Sequence, residues 1–277
     1  MVLALVAGCT AVRFGYNQGP ELAFWWIDRY IDFDDAQELK ARDAIASWFK
    51  WHRSTQLPDY AALLAKAQAE VDDPVTPAQI CRWTETLQAR LDRAFEHALP
   101  DLAESVRALT PQQLSHLERK YAKNIKEFRH DFLQSDPEER RRAQIKRIVD
   151  RAEMLYGRVN DAQRERIAQM NAESPLDPQA WLLERQRRQQ DAVQALRRLS
   201  AEQAGPEQAQ AALKRIYEDM FRSPREGYRA YQQRVIQYNC GLAAQVHNLA
   251  GPEQLAHAVK RLRGWEEDMR ALAAQGR

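Results

Sequence analysis

The amino-acid sequence predicts an all-α fold, a multi-helix bundle of antiparallel helical hairpins. Three observations carry this expectation. A helix-start phrase recurs along the chain, apolar residues step by three or four after each start, and no segment sustains period-two alternation. Ten Gly and twelve Pro in 277 residues are also few for an all-β chain with its frequent turns.

The elements justify themselves in order. Residues 1–8 are apolar and end in small side chains, and Leu5-Val6-Ala7-Gly8-Cys9 has the form of the lipobox that closes a bacterial lipoprotein signal peptide. An apolar segment partitions into the bilayer, and small residues let a peptidase reach the backbone. The Cys9 thiol is the nucleophile that accepts diacylglycerol. On this reading residues 1–8 are a signal-peptide remnant, 9–33 a lipid-anchored segment and 34–277 a single helical domain. No Lys or Arg precedes the run and it is short for an h-region, which points to a true start upstream of Met1. The competing reading is a frayed N-terminus with a chance Gly-Cys pair. Thr10 follows the cysteine where Asp would mark inner-membrane retention, so likeness to sorted lipoproteins favours the outer membrane. No other run reaches the roughly 18 apolar residues of a spanning helix.

Aromatic residues crowd the next stretch: Phe14, Tyr16, Phe24, Trp25, Trp26, Tyr30 and Phe33. Leu22, Trp25, Trp26 and Arg29 step as one helical face, so packing against the bundle is the favoured reading. The other reading is a membrane-facing or partner-facing patch that includes Tyr16, Trp25, Trp26 and Tyr30, because Trp and Tyr favour bilayer interfaces and Cys9 is close.

From there the chain is punctuated by starts. Asp34 with Gln37, Thr76-Pro77 with Gln79, Thr110-Pro111 with Gln113 and Asp136-Pro137 with Glu139 come first. Asn160 with Gln163, Asp177-Pro178, Ser200 with Gln203, Ser223-Pro224 with Glu226 and Gly251-Pro252 with Gln254 follow. Where the phrase is complete, a cap side chain satisfies backbone N–H groups of the first turn while Gln or Glu reaches back to the cap, and where Pro follows it sits where no N–H is needed. Val75 with Ile80 and Leu109 with Leu114 add apolar staples. The stripes follow: Ile80, Trp83, Leu87, Leu91 and Phe95; Leu114, Leu117, Tyr121, Ile125, Phe128 and Phe132; Tyr228 to Leu249; Leu255 to Leu272. Each gives its helix one core-facing side, for about nine helices joined by short links. A two-lobed arrangement splitting near Ser135–Pro137 is the alternative to one domain.

Chemistry is harder to find. The 41 basic and 39 acidic residues nearly cancel, which argues against a nucleic-acid partner, since phosphate binding needs a basic surplus. Three cysteines are too few for a disulfide framework; Cys81 and Cys240 either pair in an oxidising compartment or sit as two buried thiols. His52, His97, His116, His130, His247 and His257 fall at no zinc-helix spacing, so no metal or other cofactor is expected. His130 and Asp131 are neighbours that should point apart on a helix. The arginines around Arg140–Arg142 and Arg185–Arg188, interleaved with Glu138, Glu139, Asp150, Glu153, Glu184 and Asp191, read as solvated helix faces, with anionic-surface binding as the minority reading. There is no phosphate loop, nucleophile elbow, Cys-x-x-Cys or His-Glu-x-x-His. No catalytic residue is singled out, and the expectation is not an enzyme.

Four phrases together resemble a family of helical lipoproteins from Gram-negative bacteria: Tyr16-Asn17-Gln18; Trp25 to Tyr30; Trp48 to Arg53 with Gln56 to Tyr60; and Glu127 to Phe132. The resemblance runs from the Cys9 lipobox to about Leu272. It implies a periplasmic, lipid-anchored envelope protein and supplies no activity. The phrase Leu109-Thr110-Pro111-Gln112-Gln113 is also similar to a Leu-Thr-x-x-Gln motif of periplasmic stress chaperones. The expected role is therefore a binding, scaffold or chaperone-like factor, attached to the membrane through lipidated Cys9, whose partner is a protein or another envelope component. An envelope hydrolase with a site built from distant residues and a cytosolic helical adaptor starting at Met1 are the alternatives.

Overall fold

A computed structural model of the chain describes residues 11–276; Cys9 and the lipobox lie outside them. Eleven helices and no strand are found among the described residues. In order they are α1 (Ala11–Asn17), α2 (Gly19–Ile31), α3 (Asp35–Glu70), α4 (Pro77–Arg107), α5 (Pro111–Phe132), α6 (Pro137–Tyr156), α7 (Asp161–Ala172), α8 (Pro178–Ala201), α9 (Pro206–Phe221), α10 (Glu226–Asn248) and α11 (Pro252–Ala274). The fold is all-α, and the two helices beyond the expected nine are α1 and α2, which precede the first cap phrase.

Most starts form as the cap chemistry dictates. Asp34, Thr76, Thr110 and Asn160 each close a capping box with the Gln three residues on. Asp136 and Asp177 accept first-turn N–H groups with Pro at the first position. Two starts fall elsewhere. Ser200 lies inside α8 and its hydroxyl donates to Leu109 O at 2.9 Å. The next helix starts instead at Gly205, whose N–H reaches Gln208 Oε1 at 3.1 Å. Ser223 is fully buried and α10 begins three residues later, with Arg225 as its N-terminal boundary. In both cases the hydroxyl found a tertiary partner and left the cap to other groups.

In place of the one domain over 34–277 that the sequence suggests, the chain divides into two compact units. The break is not near Ser135–Pro137. The first unit takes residues up to Asp72 together with Ala258–Arg277, the second Asp73–His257.

The first unit is α1, α2, α3 and most of α11. Its core is Leu57 on α3 with Leu272 and Ala273 on α11, with Tyr16, Tyr60 and Met269 packed around them. Helix α3 runs 36 residues straight through Pro58. Gly19 opens α2 because α3 passes too close for a side chain: a Cβ there would lie 2.5 Å from Phe49 Cε1. Helix α1 is pinned by a nearly buried ion pair, Arg13 Nε to Asp268 Oδ1 at 2.7 Å.

In the second unit α4 packs against α8, α9 and α10, and α5 lies along α8. Val149 and Ala152 of α6, Ile167 and Met170 of α7 and the connecting Val159 form one core cluster, and Ile125, Phe128 and Leu182 another. Cys81 on α4 and Cys240 on α10 are joined by a disulfide, with Cα atoms 5.5 Å apart. Of the two states the sequence left open, a disulfide or two separate buried thiols, the disulfide is the one found. The α4 stripe is only partly covered, since Leu87 is 53% and Leu91 52% exposed.

Candidate functional site

Two of the phrases that carry the family resemblance converge on one histidine. His52 is buried on α3; Trp48, one turn earlier, stacks on its ring with centroids 4.6 Å apart. Tyr60 meets it edge-on at 5.4 Å. Tyr16, delivered by α1, places its hydroxyl 2.8 Å from His52 Nδ1. Burial lowers the pKa of His52 to about 4. Burial also raises that of Tyr16 to about 12, against the opposing charge of Arg53. Both groups are therefore neutral at pH 7, and the imidazole tautomer sets which of the two donates. Arg53 lies over the Tyr16 ring at 5.0 Å and ties Asn17 Oδ1, Leu272 O and Gln275 Oε1 together. The cluster fixes α1 against α3 and α11.

That geometry splits the sequence-predicted patch. Tyr16 is half-buried and turned onto His52. Trp25 and Trp26 are 57% and 58% exposed, so the favoured core reading does not hold for them. Phe24, on the opposite side of the helix, is the α2 aromatic that is buried, under the Arg42 guanidinium 3.7 Å above its ring. Tyr30 is half-buried and tilted against Trp26 at 5.0 Å. Cys9, the expected lipid attachment, lies outside the described residues.

A second buried polar centre sits in the other unit. Glu184 on α8 is completely buried, not a solvated neighbour of the arginines beside it. Ser223 Oγ donates to its Oε1 at 2.6 Å, Arg187 Nη2 donates to the same oxygen at 3.0 Å, and Arg225 donates to Oε2. Burial pushes this carboxyl up, but the hydrogen bonds from Arg187, Ser223 and Arg225 outweigh it and hold the pKa at about 2. The arrangement locks the α9–α10 connection onto α8. Only the buried pairing of Ser223 with a carboxylate 39 positions away explains why the Ser-Pro phrase failed as a cap.

A second tyrosine–histidine pair stands in the same unit. Tyr156 Oη lies 2.8 Å from His247 Nδ1, and His247 Nε2 lies 3.1 Å from Asp73 O. A carbonyl can only accept, so Nε2 donates to Asp73 O. His130 and Asp131 do meet, at 2.9 Å between Nδ1 and Oδ1, contrary to the expectation that they point apart. They do so at the C-terminal end of α5, fully in solvent, where the Asp131 hydrogen bond raises the histidine's pKa. The first arginine cluster behaves as expected, with Arg141 on Glu138 and Lys146 on Asp150 in exposed pairs. Among the described residues no group of three His, Cys, Asp or Glu side chains is placed to hold a metal ion, and no helix is long and apolar enough to cross a membrane.

A concave surface of about 410 Å³ runs between α5 and α8, and a more open one of about 540 Å³ lies where α5 meets α6, around Phe132, Glu139 and Arg147. Ile125 and Val193 form the apolar floor of the first; Lys126, Arg129, Gln186 and Gln190 stand along its walls. Carboxamides that both donate and accept, beside two cations, suit a polar ligand held by hydrogen bonds.

No curated protein and no solved structure matches the chain. A family model described as a family of unknown function (DUF6279) matches residues 29–221. That span takes in Tyr30, the His52 phrase, Glu127 to Phe132 and Glu184, and leaves Cys9, Trp25 and Trp26 outside it. The description names no activity, compartment or source organism. Because the match covers well over half of the 277 residues, the chain belongs to DUF6279, a family of unknown function.

Proposed function

We propose that this protein is a lipid-tethered, non-catalytic binding factor of the bacterial envelope, held through acyl chains on Cys9 in the periplasm and at the outer membrane. The observation that carries this reading is the Cys81–Cys240 disulfide. Structural disulfides belong to oxidising compartments such as the periplasm and are rare in the cytosol. The bond is independent of the lipobox, yet both point to the same side of the inner membrane. The cytosolic adaptor reading accounts for neither.

Binding is preferred over hydrolysis on the state of the buried titratable groups. Neutral His52 faces a tyrosine, and Glu184 is a carboxylate fully engaged by its donors. General acid–base work needs a group whose pKa lies near the operating pH and which can reach a substrate. The open α5–α8 groove offers the concave surface for a partner. Metabolic labelling with a fatty acid tests the tether: label is expected in the wild-type protein and none in Cys9→Ala. A wild-type protein that takes up no label overturns it.

A further inference from the structure

Helix α2 has two opposed faces. At 100° per residue, Pro20, Phe24, Ile27 and Ile31 fall within one narrow sector, and all are buried or half-buried. Leu22, Trp25, Trp26 and Arg29 centre on the opposite side, where Leu22 is 56%, Trp25 57% and Trp26 58% exposed. The Arg29 guanidinium lies 4.8 Å over the Trp25 ring, which puts a cation at the rim of the patch. On α1, Phe14 is 67% exposed.

We propose that this outer face of α2 docks against the phospholipid leaflet that holds the anchor, with Leu22, Trp25 and Trp26 at headgroup level. The inference rests on the Cys9 tether proposed above, and it adds which surface of the protein meets the membrane. Three arguments select lipid as the occupant. The first is reach. Two peptide links separate Cys9 from Ala11, a span of at most about 7 Å, and α1 adds only about 10 Å before α2 begins. The second is rigidity. Arg13–Asp268 and Tyr16–His52 fasten α1 to the body at 2.7 and 2.8 Å, so the α1–α2 pair cannot swing away from an anchored cysteine on a long leash. The third is chemistry. Indole rings settle at the headgroup boundary, the Arg29 guanidinium sets a cation beside Trp25, and the acyl chains already supply the affinity.

The test tethers the protein chemically, so that it does not depend on natural acylation. With Cys81 and Cys240 bonded, Cys9 is the remaining thiol of three and couples to a maleimide-headgroup lipid in phosphatidylethanolamine–phosphatidylglycerol vesicles. Tryptophan emission is then compared between vesicles with plain acyl chains and vesicles with chains brominated near the headgroup. Two of seven tryptophans lie on the face, so bromine should remove roughly a quarter of the emission. Trp25→Phe/Trp26→Phe should lose almost none, with unchanged helical circular dichroism. Equal emission of the tethered wild type in both vesicles overturns the proposal. So does a dimer of the untethered protein, seen by sedimentation, that Trp25→Ser/Trp26→Ser abolishes, since the face would then be covered by a second copy. Failure of the native protein to carry acyl chains would instead strike the tether and leave this measurement standing.

Discussion

One buried side chain in each unit, His52 in the first and Glu184 in the second, ties its stability to pH on the acid side. The unfolded chain protonates His52 near 6.5 and the folded chain only near 4. Between those values the unfolded state binds more protons, so stability rises with pH across this window and falls on acidification. The effect is on the order of 3 kcal/mol when fully developed. His52→Asn, which keeps an acceptor for Tyr16 and does not titrate, should flatten the fall of the unfolding midpoint between pH 6.5 and 4. A His52 imidazole that titrates near 6.5 by NMR would remove the basis for this. Glu184 follows the carboxylate rule. Its pKa drops from 4.5 to about 2 on folding, so its contribution is whole above pH 4.5 and disappears as pH falls toward 2. Glu184→Gln should cost about 2–3 kcal/mol at pH 7, because Arg187 and Arg225 lose their counter-charge; the shared oxygens make Ser223→Ala subadditive with it in a double-mutant cycle. Nothing local marked Glu184 as buried. It sits among exposed-looking arginines, and only the return of the Ser223 loop removes it from water.

At the scale of elements, what the chain announces locally is what the structure keeps. Cap boxes at Asp34, Thr76, Thr110 and Asn160 close within four residues, so their chemistry is complete in the sequence. The α5 stripe is likewise buried at Leu114, Leu117, Ile125 and Phe128. Periodicity alone says which residues share a face, not whether a neighbour covers it. Hence Leu87, Leu91, Trp25 and Trp26 step like core residues and stand in solvent. The same limit hid the true start of α9. Gly205-Pro206-Glu207-Gln208 repeats the phrase that opens α11, but Ser200 offered a hydroxyl first. The disulfide between α4 and α10 joins positions 159 apart, which spacing cannot predict. Its removal by Cys81→Ala/Cys240→Ala should lower the stability of the second unit by about 2–4 kcal/mol, read as a lower denaturant midpoint. Thiol titration of the denatured, unacylated chain should find one free thiol before reduction and three after. Three before reduction would refute the bond.

On the scale of the whole molecule, the all-α class was legible because every level agreed, from caps to composition. The division into two units was not, because the first unit recruits residues 258–277 from the far end of the chain and no linker marks the seam. For function, the sequence offers only the proposed location. The lipobox motif, the disulfide and the outward tryptophans are three separate features, and a tether at Cys9 in an oxidising compartment accounts for all three. The near-balance of charge and the engaged states of His52, His247 and Glu184 direct attention to surfaces, above all the α5–α8 groove and the α2 face. The most direct measurement is the intact mass of the native protein, extracted with detergent from its own membranes and kept unreduced. The account predicts a chain that begins at Cys9, carries the mass of a glyceride with fatty acyl groups, and shows the mass deficit of one disulfide. A chain that retains residues ahead of Cys9 and bears no acyl mass contradicts it.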